Sequence, residues 1–349
     1  MDRRYPAERG YSMPAEWSPH AATFLSWPHN TDTWPQNLQQ AQAEFTQLVA
    51  AIAKDEMVYV LAQSELHEDI AKRVQLGSEF SHRLKLLDVP TNDAWIRDYG
   101  PTLVSDGSQL VGIDWKYNAW GGKYPPFDDD QKCVSRLLDC KLQFERFASR
   151  VCLEGGAIEI DDNAVAMCTR SCALDPNRNS ISELEIQTEL EHCLGAQKVI
   201  WLTGDAIAGD DTDGHIDQLA RFVPGARILH AMTSRSDPQY DALEKNRCDL
   251  IDELDRLGLH YELIELQLPD PVTAFGNRLP ASYCNFYITN ASVIVPTYGQ
   301  SKDDAVVGTI ANCFPDRKVI GLPSIHLSVG LGSFHCLTQQ MPDFAAFDG

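Results

Sequence analysis

Gly209-Asp210-Asp211-Thr212-Asp213-Gly214-His215-Ile216-Asp217 is a loop of glycines and carboxylates around one histidine, set between two short apolar runs, Val199 to Leu202 and Leu219 to Val223. Short apolar runs bounded by turn formers predict strands. The segment is therefore a strand, an acidic loop and a second strand. The same order recurs on both sides of it. Leu84 to Val89 leads to Asp93, Trp95 and Asp98, and Phe147 to Leu153 leads to Glu154-Gly155-Gly156, then Ala157 to Ile160 and Ala164 to Cys168. Ser282 to Thr289 and Ser292 to Val295 end at Pro296, Tyr298 and Gly299, and Val319 to Leu322 leads to Gly330, Gly332, His335 and Cys336. With Asp98, Glu154, His215, Cys284 and Cys336 as landmarks, the step is roughly 50 to 70 residues, a period that implies stacked or radial units. Five such units fit the length.

Leu38 to Lys54, Glu65 to Gln75, Ile181 to Cys193, Pro238 to Leu257 and Asp303 to Cys313 carry apolar residues at helical spacing. Each unit is thus expected to be strands plus one helix, in a single α/β domain over residues 1–349. Strands converging on a common axis would bring the acidic loops to one central mouth. No low-complexity linker divides the chain. The proline-containing stretches Tyr124 to Asp130 and Pro269 to Pro280 are expected as surface loops near that mouth.

A composition of 44% hydrophobic and 23% charged residues is that of a globular protein. The net charge of −21 argues against nucleic acid, whose phosphates need stripes of Lys and Arg. It favours a cationic partner, although most of these charges do no more than keep a surface soluble. Met1 to Pro35 holds no cationic start followed by an apolar run, and no stretch approaches the roughly 20 apolar residues that span a bilayer. A soluble cytoplasmic protein that engages no membrane is expected. Ten cysteines without a repeated spacing fit free thiols, most of them small core hydrophobes, in a reducing compartment. The close pair Cys168 and Cys172 is expected on one strand, with nothing to supply the second half of a zinc site.

Three clusters can do chemistry. Cys336 follows the glycine-rich approach Gly330-Leu331-Gly332-Ser333-Phe334-His335, which suits a nucleophile, although a buried inert thiol is the commoner case. His335 should face away from it, since neighbours on an extended segment alternate. His215 sits among carboxylates that would raise its pKa and orient it, and on a strand it would share a face with Asp217. In Asn92 to Pro101, an extended run would put Trp95 and Arg97 on one side and Asp98 on the other. Trp95 could lie flat on a guanidinium whose N–H groups Asp98 accepts. Equally, Arg97 and Asp98 could form an ordinary ion pair and Trp95 a core anchor. Glu154 could orient His215 or a substrate nitrogen, or could satisfy backbone amides in a tight turn.

One reaction unites these groups. A guanidinium is planar, permanently charged and weakly electrophilic, so its hydrolysis needs carboxylates to hold its nitrogens and a strong nucleophile at its carbon. Cys336 would attack as thiolate, and His215 would protonate the departing ammonia and then activate water. The bound cation would help deprotonate a thiol that the carboxylates otherwise keep protonated. A metal-dependent hydrolase using Asp211, Asp213, His215 and Asp217 is a rival, weakened by having only one histidine. A non-catalytic propeller that binds a cation is another.

The chain resembles the agmatine deiminase branch of the guanidino-group modifying superfamily, relatives of the bacterial peptidyl-arginine deiminases. The resemblance rests on Met13 to Trp17, Ser26-Trp27-Pro28, Asn92 to Pro101, Asn118 to Gly122, Leu153 to Gly156, Asp175 to Asn179, Gly209 to Asp217, Pro296 to Gly299 and His335 to Gln340. It implies a five-bladed pseudo-symmetric α/β-propeller (pentein) of ββαβ-type repeats, with no metal or cofactor. It also implies a thiouronium mechanism with Cys336 as nucleophile, His215 as acid and base, Asp98 and Asp217 as guanidinium ligands, Glu154 as supporting acid and Trp95 as pocket wall. Asp211, by its place before His215, would meet the distal amine of agmatine. Gly330 to Phe334 departs from the glycine run usual in this family, so the nucleophile loop is expected to differ in shape. Agmatine, converted to N-carbamoylputrescine on the way to putrescine, is the expected substrate, peptidyl-arginine the alternative, and a homodimer is allowed.

Overall fold

A computed structural model describes residues 4–343. The expected domain of residues 1–349 extends past it at both ends. The chain is mixed α/β, and five of its sheets share one order. In each, a strand pairs antiparallel with a second, and the second pairs parallel with a third. Thr102–Ser105, Leu110–Lys116 and Glu145–Cys152 form one sheet, and Glu159–Ile160, Val165–Thr169 and Lys198–Leu202 the next. Ala220–Val223, Arg227–Met232 and Glu262–Gln267 follow, then Tyr287–Ile288, Ser292–Thr297 and Lys318–Pro323. In the fifth, the late strand Thr338–Pro342 pairs with the early strand His20–Ser26, which runs parallel to Met57–Ala62, itself parallel to Leu84–Asp88.

A parallel step needs a crossover, and the helices supply it. Leu38–Ile52, Cys133–Asp139, Glu183–Leu194, Tyr240–Leu257 and Asp303–Cys313 each join the second and third strands of a sheet. Their limits follow local chemistry. Glu183–Leu194 starts at a capping box between Ser182 and Glu185 and stops at Gly195, while Tyr240–Leu257 stops at Gly258. Tyr240–Leu257 buries Leu243, Leu250 and Leu254 and leaves its charged face to water.

A residue able to do chemistry precedes the first strand of each of these five sheets. Asp98 comes before Thr102–Ser105, Glu154 before Glu159–Ile160, Asp217 before Ala220–Val223, Asn285 before Tyr287–Ile288 and Cys336 before Thr338–Pro342. Several of these segments are single helical turns: Ile96–Tyr99, Gly155–Ala157 and Ile216–Gln218. That corrects two expectations. Neither Trp95 to Asp98 nor His215 to Asp217 is extended, so two-residue alternation does not set their faces. Ser282 to Phe286 is likewise loop, and Cys172 lies on the short helix Arg170–Ala173 rather than on the strand with Cys168. Glu65 to Gln75 divides into the turn Ser64–Leu66 and the helix His67–Arg73. Within the proline-rich stretch, Thr273–Ala274 and Asn277–Arg278 form a small hairpin.

His20–Ser26 is hydrogen-bonded on both edges, and its Phe24 is fully buried beside Tyr59. Phe24→Ala should destabilise the protein by about 3–5 kcal/mol in chemical denaturation. A loss near zero would mean that this strand is not part of the cooperative core.

Candidate active site

Gly155-Gly156 lets three segments meet. A Cβ on Gly155 would lie 2.1 Å from the Arg97 carbonyl oxygen, so this position admits no side chain. One on Gly156 would lie 2.6 Å from His215 Nδ1, 2.7 Å from Asp98 Oδ1 and 3.1 Å from Asp217 Oδ2. The Gly156 N–H donates to Asp98 Oδ1 at 3.0 Å. Three titratable groups from two distant segments thus surround the place a methyl group would fill.

Cys336 joins this cluster through Asp217, its thiol donating to Oδ2 at 3.5 Å. Asn285 Nδ2 donates to Sγ at 3.2 Å, and Asn285 Oδ1 accepts from the backbone N–H groups of His335 and Cys336. Burial, then Asp217 and Asp98, push the Cys336 thiol well above the usual range, so the resting sulfur is protonated.

His215 is completely buried, Nδ1 standing 3.6 Å from Asp98 Oδ1 and Nε2 3.7 Å from Glu154 Oε2. Burial opposes its charge, but Asp98, Cys172 and Glu154 prevail and raise its pKa well above the ordinary value. The ring is therefore a proton donor at rest. Burial lifts Asp98 to about 6, with His215 pulling it down and Asp217 and Glu154 pushing it up. Burial would also raise Glu154, yet His215 and Arg178 hold it at about 2.

Glu154 does not cap a backbone turn. Arg178 Nε donates to both of its oxygens, at 2.8 and 3.0 Å, and Cys172 Sγ donates to Oε2 at 3.6 Å. Arg178 also donates to Asp213 Oδ2 and to the Thr212 carbonyl, tying the Gly209 to Asp217 loop to Glu154. Arg97 and Asp98 diverge as well. Arg97 reaches Gln340 Oε1 at 2.7 Å and the His335 carbonyl, whereas Asp98 Oδ2 accepts from Trp120 Nε1 at 3.0 Å. To aim that indole, Ala119 and Trp120 both adopt left-handed backbone, which costs of order 1–3 kcal/mol per residue and concentrates at ligand sites.

Above the cluster lies a cavity of about 850 Å³, with Trp95, Asp98, Trp120, Asp211, Leu331 and Cys336 among its lining. Trp95 packs on Trp34 and is held close by Gly332, where a Cβ would lie 2.4 Å from its ring. Leu331, between glycines that approach Trp34 and Trp95, takes φ +73°. Carboxylates Asp32, Asp93, Asp129 and Asp130 also line the cavity. Asp211 accepts from the Tyr124 hydroxyl, and half-exposed Tyr124 and Phe275 stand at the rim.

The four acidic-loop residues of the metal rival separate. Asp213 pairs with Lys123 and Arg178, Asp211 with Tyr124, and Asp217 alone reaches Cys336. Glu154, Cys172 and His215 do bring ligand atoms within 4.8 Å of one another, but Arg178 already occupies Glu154. Sequence reasoning passed over Asn285, Arg178, Trp120 and Glu16 as functional groups, and it set His335 aside. The last four lie in motifs that carried the resemblance; Asn285 had only its place beside the landmark Cys284, whose thiol turns instead to the Leu219 carbonyl.

Residues 12–342 match the family model described as Porphyromonas-type peptidyl-arginine deiminase. An agmatine deiminase of Medicago truncatula is 34% identical, over 97% of this chain and 98% of its own length. The structure of the agmatine deiminase of Enterococcus faecalis superposes with a TM-score of 0.90 at 27% identity, covering 99% of each chain. A cysteine-to-serine variant of the C. jejuni agmatine deiminase with substrate bound gives 0.85 at 29%, covering 95% of this chain and 96% of that one.

In the ligand-free protein, alkylation of Cys336 by iodoacetamide, followed by peptide mass spectrometry, should keep accelerating above pH 9. A rate that levels off near pH 7 would mean the carboxylates do not hold the thiol protonated.

Proposed function

The chain belongs to the Porphyromonas-type peptidyl-arginine deiminase family, and from that premise we propose how it works as an agmatine deiminase, hydrolysing the guanidinium of agmatine to N-carbamoylputrescine and ammonia. The observation that carries this reading is the meeting of the Cys336 thiol with Asp217, 3.5 Å away, and through Asp217 with Asp98 and His215 around Gly156. Such a site is built for a planar cation and a nucleophile at its central carbon.

Asp98 and Asp217 accept N–H groups from the guanidinium. Asp217 Oδ1 is buried without a hydrogen-bond partner, which leaves it free for this. The entering positive charge offsets the carboxylates that keep the thiol protonated, and Cys336 loses its proton to solvent. The thiolate forms an S–C bond at the guanidinium carbon, and the His215 imidazolium gives its proton to the departing nitrogen as the C–N bond breaks. Ammonia leaves an S-alkylthiouronium on Cys336. Neutral His215 then takes a proton from water as the O–C bond forms and the S–C bond breaks. Glu154, held by Arg178, keeps His215 charged and in place. Trp95 walls the pocket, and Asp211 receives the distal ammonium in exchange for its Tyr124 contact. The product is a step from putrescine.

The five like-ordered sheets are, in this reading, five blades of a ring in one catalytic domain. The pairing of Thr338–Pro342 with His20–Ser26 would close it. That arrangement explains why one equivalent segment from each sheet supplies a site residue.

Ammonia release should be strong with agmatine and weak with free arginine and with an arginine-containing peptide; preference for the peptide would move the assignment to a peptidyl-arginine deiminase. Cys336→Ser should abolish turnover and the thiouronium mass shift, and His215→Ala should cost at least about a hundredfold in kcat. Full activity of either variant would end the mechanism. Because Asp98 must be ionised to hold the cation and titrates at about 6, kcat/KM should fall as pH drops through about 6. An acid limb near the ordinary carboxylate range of about 4 would remove Asp98 from substrate binding.

A further inference from the structure

His335, the neighbour of the nucleophile, faces away from the cavity and is almost wholly buried. It is not idle there. Nδ1 lies 2.8 Å from Asp217 Oδ2 and Nε2 lies 2.8 Å from Glu16 Oε2. An ionised carboxylate can only accept, so a ring hydrogen-bonded to one at each nitrogen must carry both protons. Both carboxylates are ionised. Burial would raise Glu16, but Arg221, His335 and Arg97 outweigh it, and burial of Asp217 is outweighed by His335, His215 and Arg221.

The surrounding charges keep both carboxylates in that state. Glu16 Oε2 also accepts from Arg221 at 2.8 Å and stands 3.8 Å from Arg97, while Arg221 pairs with Glu159, whose carboxyl burial lifts to about 7. On the other side Asp217 faces His215, Asp98 and the Cys336 thiol. Glu16 and Asp217 are thus each held by the ring and by further cationic groups, which keeps both carboxylates as acceptors toward it.

We propose that Glu16 and His335 form a buried dyad in which the imidazolium ring, clamped between two carboxylates, fixes Asp217 with Oδ2 against the Cys336 thiol and Oδ1 free for the guanidinium. His335 is a positioning residue. It acts on substrate only through Asp217, and Glu16, some 300 positions away in sequence, is what keeps its charge. The fold supplies the rigidity: Glu16 Oε1 accepts from the Ile288 N–H at 2.8 Å, and Asn285 holds the His335 backbone.

The role of Asp217 in binding rests on the function proposed above; the ring's protonation does not. The ligand-free wild-type protein with ¹⁵N-labelled histidine, its His335 signals assigned by their loss in His335→Asn, should show both ring nitrogens protonated at pH 7.5. A neutral ring at pH 7.5 overturns the proposal, whether or not agmatine is the substrate. His335→Asn keeps a neutral donor toward Asp217 but removes the charge. It should raise KM for agmatine at least tenfold with a smaller change in kcat, because Asp217 without the clamped ring no longer holds its free oxygen toward the guanidinium. Glu16→Gln should raise KM in the same way by less. If folded His335→Asn keeps the wild-type KM, the dyad does not position Asp217. If His335→Asn fails to fold, Glu16→Gln and the nitrogen spectra decide.

Discussion

Gly156 has no side chain, and His215, Asp98 and Asp217 occupy the space that one would take. The chemistry of the molecule depends on that approach. A methyl at this point would displace titratable groups from two distant segments at once, and Gly155 is equally hemmed in by the Arg97 carbonyl. The glycines matter here for size alone, since neither adopts positive φ. Their cost in chain entropy is small beside the gain of bringing segments more than a hundred positions apart within contact distance.

Around that point the protein buries an unusual density of charge and makes nearly all of it mutual. Glu154 is held by Arg178, Glu16 and Glu159 by Arg221, and Asp217 by His335. Isolated ions in such a place would change protonation state rather than remain charged. Glu154, Glu16 and Asp217 are held low by their cationic partners, whereas burial lifts Asp98, whose hydrogen bonds come only from Trp120 and a backbone amide, to about 6. The site therefore holds one weakly committed acid and one unpartnered oxygen, Asp217 Oδ1, as open places for a cation. A protonated sulfur waits beside them. In the proposed mechanism an entering cation changes the sulfur by changing the field.

The acidic loop shows how similar residues divide their labour. Asp210 accepts from Thr212 and Gly214 and shapes the turn, and Asp213 bridges Lys123 and Arg178. Asp211 faces the cavity and Asp217 the Cys336 thiol. Of a net charge of −21, only a few carboxylates stand at the cavity. Among the described residues no helix is long and apolar enough to cross a membrane.

The sequence by itself determined what depends on neighbours a few positions apart. Apolar runs and helical spacing gave the alternation of strands and helices, and the recurrence of a polar loop before a strand marked the segments that carry Asp98, Glu154, Asp217 and Cys336. The residue types then limited the chemistry to a thiol, an imidazole and carboxylates. Only the tertiary structure decided where those side chains point. The decisive segments are single helical turns, too short for a period of two or 3.6 to govern, so the alternation expected for Trp95 to Asp98 and His215 to Asp217 did not apply. Arg178 on Glu154, Trp120 on Asp98, Asn285 on Cys336 and Glu16 on His335 are pairings between segments 22 to 319 positions apart. No local pattern encodes them, because their partners are set by how the sheets pack, and it is the loss of water in that packing that turns them from ordinary polar residues into a charged and ordered site.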